Sequence, residues 1–297
     1  MNQVLKAAYN HIRSGGTGYY EQPRGVISVY GGEAEQFLDG LVSNEVKSLD
    51  NGAQRWAAMP DAKGRLLAVV RVMKHNEKFI VETEEATHQK VFESLFKFTF
   101  AGEFFVEDLS DRNRFITVYD RSFVPITPPF IEFEFAGGTE YFVDVEDASD
   151  FLAELRYFNA VNMSEELHEI IRIEDGLPKW GADMDETTIV PELGIDKMIS
   201  YNKGCYIGQE IVARIHFRGH VAKKLTGLVL SADGIQSGTE LTSIDGKNAG
   251  RITSVCYSPH VGKNIALAYV RYDYLAEGTT LNVGDSSAVV TDLPFVK

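Results

Sequence analysis

Apolar and polar positions along the chain change period several times, and each change marks an element. Near the start, MNQVLKAAYNHIRSGG places Val4, Leu5, Ala8, Tyr9 and Ile12 at helical spacing with polar residues between, which predicts an amphipathic helix. VISVY (26–30) reads as a strand. GGEAEQFLDGLVSNEV reads as a Gly-led turn into a helix with Ala34, Phe37, Leu38, Leu41 and Val42 on one face, closing at Ser43 and Asn44. RWAAM, RLLAVVRVM and KFIVET are β-type runs parted by polar turns, followed by a helical stretch, EEATHQKVFESLFKF. FITVY, FIEFEF and EYFVDV repeat the theme before helices in DASDFLAELRYFN and SEELHEIIRI. GGTGYY (15–20) is Gly-rich, precedes no helix and reads as a linker.

From about Leu225 the rhythm changes. TGLVL, TELTS, AGRITSV, NIALAYVR, TTLNV and SAVVTDL are short β-type runs with Gly, Asp and Pro between them and no helical stretch, which predicts a separate small barrel or sandwich. The irregular mixture before it predicts an α+β fold with mainly antiparallel sheets. A chain of 297 residues exceeds what one core usually serves, so two or three cooperating units are expected, with a boundary between 1–224 and 225–297.

Composition is that of a soluble globular protein, 44% hydrophobic and 24% charged. A formal charge of −14 repels other polyanions at long range, which argues against nucleic acid or a membrane surface as the main partner. No run approaches the ~18 apolar residues of a membrane span. Cys205 and Cys256 are too few for a disulfide framework, and with no export signal in the sequence the expected location is the cytoplasm. Charge is unevenly spread: Ser164 to Glu192 carries nine acidic residues against two basic, and Lys197 to Lys224 six basic against Glu210 alone. Any anionic ligand would meet this basic patch.

Two segments could carry chemistry. RIEDGLPKWGADMDETTIVPELG (172–194) is a long connection broken by Gly176, Pro178, Gly181 and Pro191, apolar enough to be ordered. Glu174, at the exit of the helix before it, either points into what the loop encloses or pairs with Arg172 to pin the loop. In KGCYIGQE (203–210), Gly204 and Gly208 allow tight turns, and the residues after Gly208 read as a first helical turn. Backbone N–H groups there, with Lys203, would raise the reactivity of Cys205; the other reading is a small buried apolar side chain. Cys256, in ITSVCYSP, reads as a space-filler. No metal set is expected: His216 and His220 are four apart, but Gly219 lies between them and no third ligand is suitably spaced. There is no phosphate loop, dinucleotide fingerprint or nucleophile elbow.

Taken together, KGCYIGQEIVARIHFRGHVAKKL, RIEDGLPKWGADMDETTIVPELG and AGRITSVCYSPHVGKNIALAYV resemble the YgfZ-type folate-binding proteins, relatives of the T-protein (aminomethyltransferase) of the glycine cleavage system. FLDGLVSNEV and DAKGRLLA are weaker matches to the same family. The resemblance spans essentially the whole chain. It implies two interleaved α+β subdomains in 1–224 and a C-terminal β-barrel in 225–297, arranged around a central opening that holds tetrahydrofolate. It also implies Glu174 as the pterin anchor, since a carboxylate accepts a parallel pair of N–H donors, with Lys203, Tyr206, Arg214 and Arg218 as the other folate-binding residues and the basic ones serving the glutamyl tail.

One departure from the T-protein bears on activity. That family's catalytic aspartate lies on the strand after the KG-type turn, and aligned on Lys63, Gly64 and Arg65 its place falls at Ala68 or Val69. An apolar side chain there can neither move a proton nor stabilise charge at the reacting nitrogen. The signature cysteine is retained. The resemblance thus implies a tetrahydrofolate-binding accessory protein for iron–sulfur cluster assembly or repair, with Cys205 as its functional thiol and iron–sulfur enzymes or assembly factors as partners. The rivals are an aminomethyltransferase or demethylase using another carboxylate such as Asp61, and a folate-free interaction scaffold.

Overall fold

The computed structural model describes residues 2–135 and 137–296. By contacts the chain gathers into two units that interleave along the sequence, one of residues 1–36, 47–55 and 70–168, the other of residues 37–46, 56–69 and 169–297.

The first unit opens with helix α1 (Gln3–Arg13), capped by Asn2, whose side-chain oxygen accepts the Leu5 N–H at 2.8 Å. Leu5, Tyr9 and Ile12 are buried, but Val4, expected on that face, is 79% exposed. One position turns a helix by about 100°, which carries Val4 off a stripe set by Leu5. The GGTGYY stretch is not a linker. Its second half is strand β1 (Gly18–Glu21), paired in parallel with β10 (Val161–Asn162) and antiparallel with β7 (Asn113–Tyr119). Tyr19 anchors it in the core, a long-range gain that outweighs the local cost of glycine.

The sheet continues from β7 through β9 (Gly138–Asp144) to β8 (Ile131–Phe135). Helix α4 (Ala148–Tyr157) covers one face with Phe151, Leu152 and Leu155 against Ile116, Val118 and Tyr141. A second sheet has the order β3 (Gln54–Pro60), β4 (Leu66–His75), β5 (Lys78–Glu84), β2 (Arg24–Tyr30), β6 (Phe105–Asp108), with α3 (Glu85–Phe96) on β2, β5 and β6. Strands β3 and β4 are shared along the chain, their Trp56–Val69 portion belonging to the second unit. Helix α2 (Ala34–Leu41) is shared in the same way.

In the second unit, the strands from Lys223 onward close into a barrel in the order β11 (Lys223–Leu230), β14 (Lys263–Arg271), β13 (Asn248–Ser258), β12 (Glu240–Thr242), β15 (Thr280–Val283), β16 (Ser286–Thr291). Closure removes the exposed sheet edges. Along β14, Ala266, Ala268 and Val270 fill the barrel, while Ile265, Leu267 and Tyr269 point the other way and pack with Ile173 of α5 (Glu165–Glu174). That double burial is why NIALAYVR reads as a nearly unbroken apolar run. The architecture is the α+β fold with mainly antiparallel sheets that the pattern predicted, and of the barrel or sandwich expected for the C-terminal segment it is the closed barrel. Among the described residues, no helix is long and apolar enough to cross a membrane.

Candidate functional site

The residues singled out in the sequence lie in the second unit, where two buried ionic groups organise the loops. The first is Arg172, near the end of α5. Its Nη1 donates to the Leu177 carbonyl at 2.5 Å and to Asp183 Oδ2 at 2.8 Å; Nη2 reaches Ser254 Oγ at 3.0 Å and Glu169 Oε2 at 2.9 Å. Asp183 is 1% exposed and also accepts from the Lys179 N–H, Thr253 Oγ1 and Ser254 Oγ. Burial works against the charge of Arg172, but Asp183 and Glu169 outweigh it and raise its pKa. The long connection after α5 is therefore tied to α5 and to barrel strand β13. The pinning role considered for an Arg172–Glu174 pair falls instead to Arg172 with Glu169 and Asp183.

Glu174 does not stand open to a cleft. It is fully buried, Ser258 Oγ donates to its Oε1 at 2.5 Å, and its carbonyl accepts the Phe295 N–H at 2.8 Å. Cys256, two residues before Ser258 on β13, is half-buried; burial first and the Glu174 charge second push its thiol up to about 12.

The second ionic group is Lys203. Its side chain is fully enclosed, and Nζ donates to the carbonyls of Asp39, Val42 and Asn44 at 2.6, 2.9 and 2.7 Å and lies 3.1 Å from Asp39 Oδ1. An ammonium group carries three donors, and three carbonyls accept them here. This corrects the sequence expectation: Lys203 is spent on fastening the KGCYIGQE segment to the end of α2 and is not presented to a solvent-borne carboxylate. Tyr206 is buried beside it, its ring centroid 5.3 Å from the ammonium, and burial with neighbouring Tyr201 pushes its hydroxyl up to about 12. The Ile207 N–H adds a bond to the Gly40 carbonyl at 3.1 Å.

Gly208 precedes α6 (Gln209–Arg218) with φ +80°, and a Cβ there would stand 2.4 Å from the Asp61 carbonyl oxygen, so glycine is required twice over. Gly204 has no such demand, since a Cβ there would meet nothing within 4 Å. Between the Lys203 and Gly208 fastenings, Cys205 is exposed. The packing alternative for this cysteine therefore fails on burial.

Opposite Gly208 is the turn of residues 61–65. Asp61 Oδ1 accepts the N–H groups of Lys63 at 2.8 Å and Arg65 at 2.9 Å, so the carboxylate considered as a substitute catalytic group closes this turn. Strand β4 then buries Ala68 completely and Val69 to 8% exposure, the latter in an apolar cluster with Leu66, Met184, Leu193 and Val212. Arg214 and Arg218 are exposed on α6, one turn apart. His216 and His220 do not converge: His216 stacks on Tyr201 at 3.6 Å and His220 on Tyr272 at 3.7 Å. Among the described residues no cluster of three or more metal-ligating side chains occurs.

Sequence reasoning missed Asp39 and Asp183, the acidic partners on which both fastenings depend. Each lies inside a segment flagged for other reasons, but its partner is 164 residues away for Asp39 and its barrel contacts 70 or 71 for Asp183, beyond any local pattern.

Residues 223–297 match the family model of the glycine cleavage T-protein C-terminal barrel domain. The chain is similar to the At1g60990 protein of Arabidopsis thaliana, 33% identical over 46% of this chain and 32% of that protein. It is also similar to the mitochondrial iron–sulfur cluster assembly factor IBA57 homolog of Mycosarcoma maydis, 26% identical over 75% of this chain and 59% of that protein. In both cases less than two thirds of the relative is spanned. Its fold is that of the glycine cleavage system aminomethyltransferase T from Bartonella henselae, with a TM-score of 0.86 over 98% of this chain and 89% of that one at 20% identity.

Proposed function

We propose that this chain, which the barrel match, the relatives and the fold align with the glycine cleavage T-protein superfamily, is a reduced-folate-binding accessory protein for iron–sulfur cluster assembly or repair, acting through Cys205. The observation that carries the reading is a contrast within the second unit. Where an aminomethyltransferase needs a carboxylate, β4 offers buried Ala68 and Val69, and the substitute considered, Asp61, accepts two backbone N–H groups of its own turn through Oδ1. Meanwhile the one exposed thiol among the described residues sits between two rigid fastenings. A site without a group to hold charge at the reacting nitrogen is poorly built for one-carbon transfer; a thiol held at the surface suits exchange with another protein. The similarity to the iron–sulfur cluster assembly factor IBA57 homolog supports the same reading.

The fit to folate is partial. Tetrahydrofolate would supply a pterin with paired N–H donors and an anionic tail, and Glu174 suits the donors chemically but is enclosed and bonded to Ser258, so anchoring a pterin requires that contact to open.

Calorimetric titration with tetrahydrofolate, a transfer assay with lipoyl carrier, and rescue of a strain lacking the endogenous protein test the reading together. Folate binding, negligible transfer and no rescue by Cys205→Ser at normal protein abundance are expected. Absence of folate binding leaves the scaffold reading; transfer at the rate of a T-protein returns the chain to the aminomethyltransferases; full rescue by Cys205→Ser removes the thiol from the function.

A further inference from the structure

Lys63, Arg65, Arg214 and Arg218 are all exposed, and among the described residues none of the four side chains has an ion-pair or hydrogen-bond partner. Exposed cations without a partner occur elsewhere in the chain, Lys6, Arg156 and Lys263 among them, so what marks these four is where they stand. Lys63 and Arg65 flank Gly64, whose turn meets α6 at Ile211, and Arg214 and Arg218 follow three and seven residues on along that helix. The 61–65 turn touches the start of α6, where a Cβ on Gly64 would stand 3.0 Å from Ile211 and one on Gly208 2.4 Å from the Asp61 carbonyl. Two apolar side chains lie exposed in the same segment, Ile207 at 39% and Phe217 at 66%. Phe217 stands edge-on to His216 at 4.7 Å, and His216 stacks on Tyr201, so the ring is held from beneath and open above. Cys205 is two residues before Ile207.

We propose that this face of the second unit docks an acidic segment of a partner protein that also carries apolar side chains, and so delivers that partner to Cys205. The proposal rests on the reading of Cys205 as the functional thiol. Exposed aromatic and arginine side chains together are the composition of interface hot spots, with the charges setting orientation and encounter rate. A glutamyl tail would answer the cations but leave Ile207 and Phe217 uncovered. Nucleic acid, like a glutamyl tail, would answer the cations but leave Ile207 and Phe217 uncovered, and a second copy of this chain would set a net charge of −14 against another.

The test uses synthetic peptides with one cysteine held as a mixed disulfide with thionitrobenzoate. Cys205 Sγ attacks the peptide sulfur and loses its proton to buffer; the protein–peptide disulfide forms as the old bond breaks, and thionitrobenzoate leaves with the electron pair, giving the absorbance that is read. No further oxidant is needed. Against the 297-residue chain, a Glu/Leu/Phe peptide should react with saturation, at a rate at least ~10-fold above its Lys/Leu/Phe counterpart. Lys63→Glu/Arg65→Glu and Arg214→Glu/Arg218→Glu should each reverse the preference, and Phe217→Ser should raise the half-saturating concentration of the acidic peptide. Equal rates for both peptides, or a linear dependence on concentration, overturn the proposal. So does an all-Glu peptide reacting as well as the Glu/Leu/Phe peptide, which would make the face a general attractor for carboxylates such as a folate tail. Tetrahydrofolate titration separates the two readings: an acidic-peptide preference that survives unchanged in Phe217→Ser and Lys63→Glu/Arg65→Glu, or full strain rescue by variants that have lost it, sinks the docking face alone, and a wild-type chain that shows the preference but binds no tetrahydrofolate sinks the folate reading alone.

Discussion

Removing the Lys203 ammonium tests how the KGCYIGQE segment is held. In Lys203→Met the stem is kept and the charge is lost, so the carbonyls of Asp39, Val42 and Asn44 lose their donor inside a site with no water access. Asp39, whose side chain is 5% exposed, keeps the Val46 N–H at 3.0 Å but loses its neutralising charge. Hydrogen bonds to a charged group contribute about 1.5–3 kcal/mol each, and they are not additive. Breaking a buried ion pair from one side costs about 3–5 kcal/mol. The second figure already contains the loss of the bonds, so the expected destabilisation is about 3–5 kcal/mol. Urea unfolding followed by tryptophan fluorescence reads it, Trp56 and Trp180 both flanking the apolar cluster of this unit. Lys203→Met/Asp39→Asn should recover part of the loss, because the second change removes the stranded charge. A loss below about 1 kcal/mol in the single variant, or a coupling between the two positions near zero in the double-mutant cycle, would refute the role of Lys203 as a buried fastening.

Two other outcomes follow from the site. Limited alkylation at neutral pH should modify Cys205 fully before Cys256, because Cys205 is exposed while burial pushes the Cys256 thiol up to about 12; mass spectrometry showing Cys256 labelled first would contradict both placements. Glu169 is pushed up by partial burial but held lower on balance by its bonds to Arg172 and Lys179, so its pKa is depressed in the folded chain. A depressed carboxyl contributes stability that is complete above its unfolded value of about 4.3 and is lost as pH falls through the folded value. The stability gap between wild type and Glu169→Gln should therefore be widest near neutral pH and close as the solution is acidified below about pH 4; a gap that stays constant across that range would remove the ion pair from the account.

How far the sequence reached differs between elements and contacts. Helices and strands with strong periodicity were legible because their apolar faces are set by neighbours a few residues away, as in SEELHEIIRI and NIALAYVR. The GGTGYY strand was not, since its pairing depends on Asn113–Tyr119 and Val161–Asn162, far along the chain. The KGCYIGQE motif was legible as a motif, and the requirement at Gly208 could be guessed from its place before a helix. The roles of its members could not. Lys203 and Arg218 are both cations in one basic stretch, yet one is sealed under three carbonyls and the other stands in solvent.

The sequence by itself determined the fold class, the all-β character of the C-terminal segment, and the single cysteine placed among turn-forming residues; that a carboxylate is missing at Ala68 and Val69 is what the resemblance to the T-protein implies. The first three depend on composition and spacing, which survive without a third dimension. Only the tertiary structure decided that Glu174 is closed against Ser258, that Asp39 and Asp183 complete the two ionic fastenings, and that Cys205 is the exposed thiol while Cys256 is not. The physical reason is that burial and charge pairing belong to the environment a side chain reaches after folding, and that environment is made by residues tens to more than a hundred positions away.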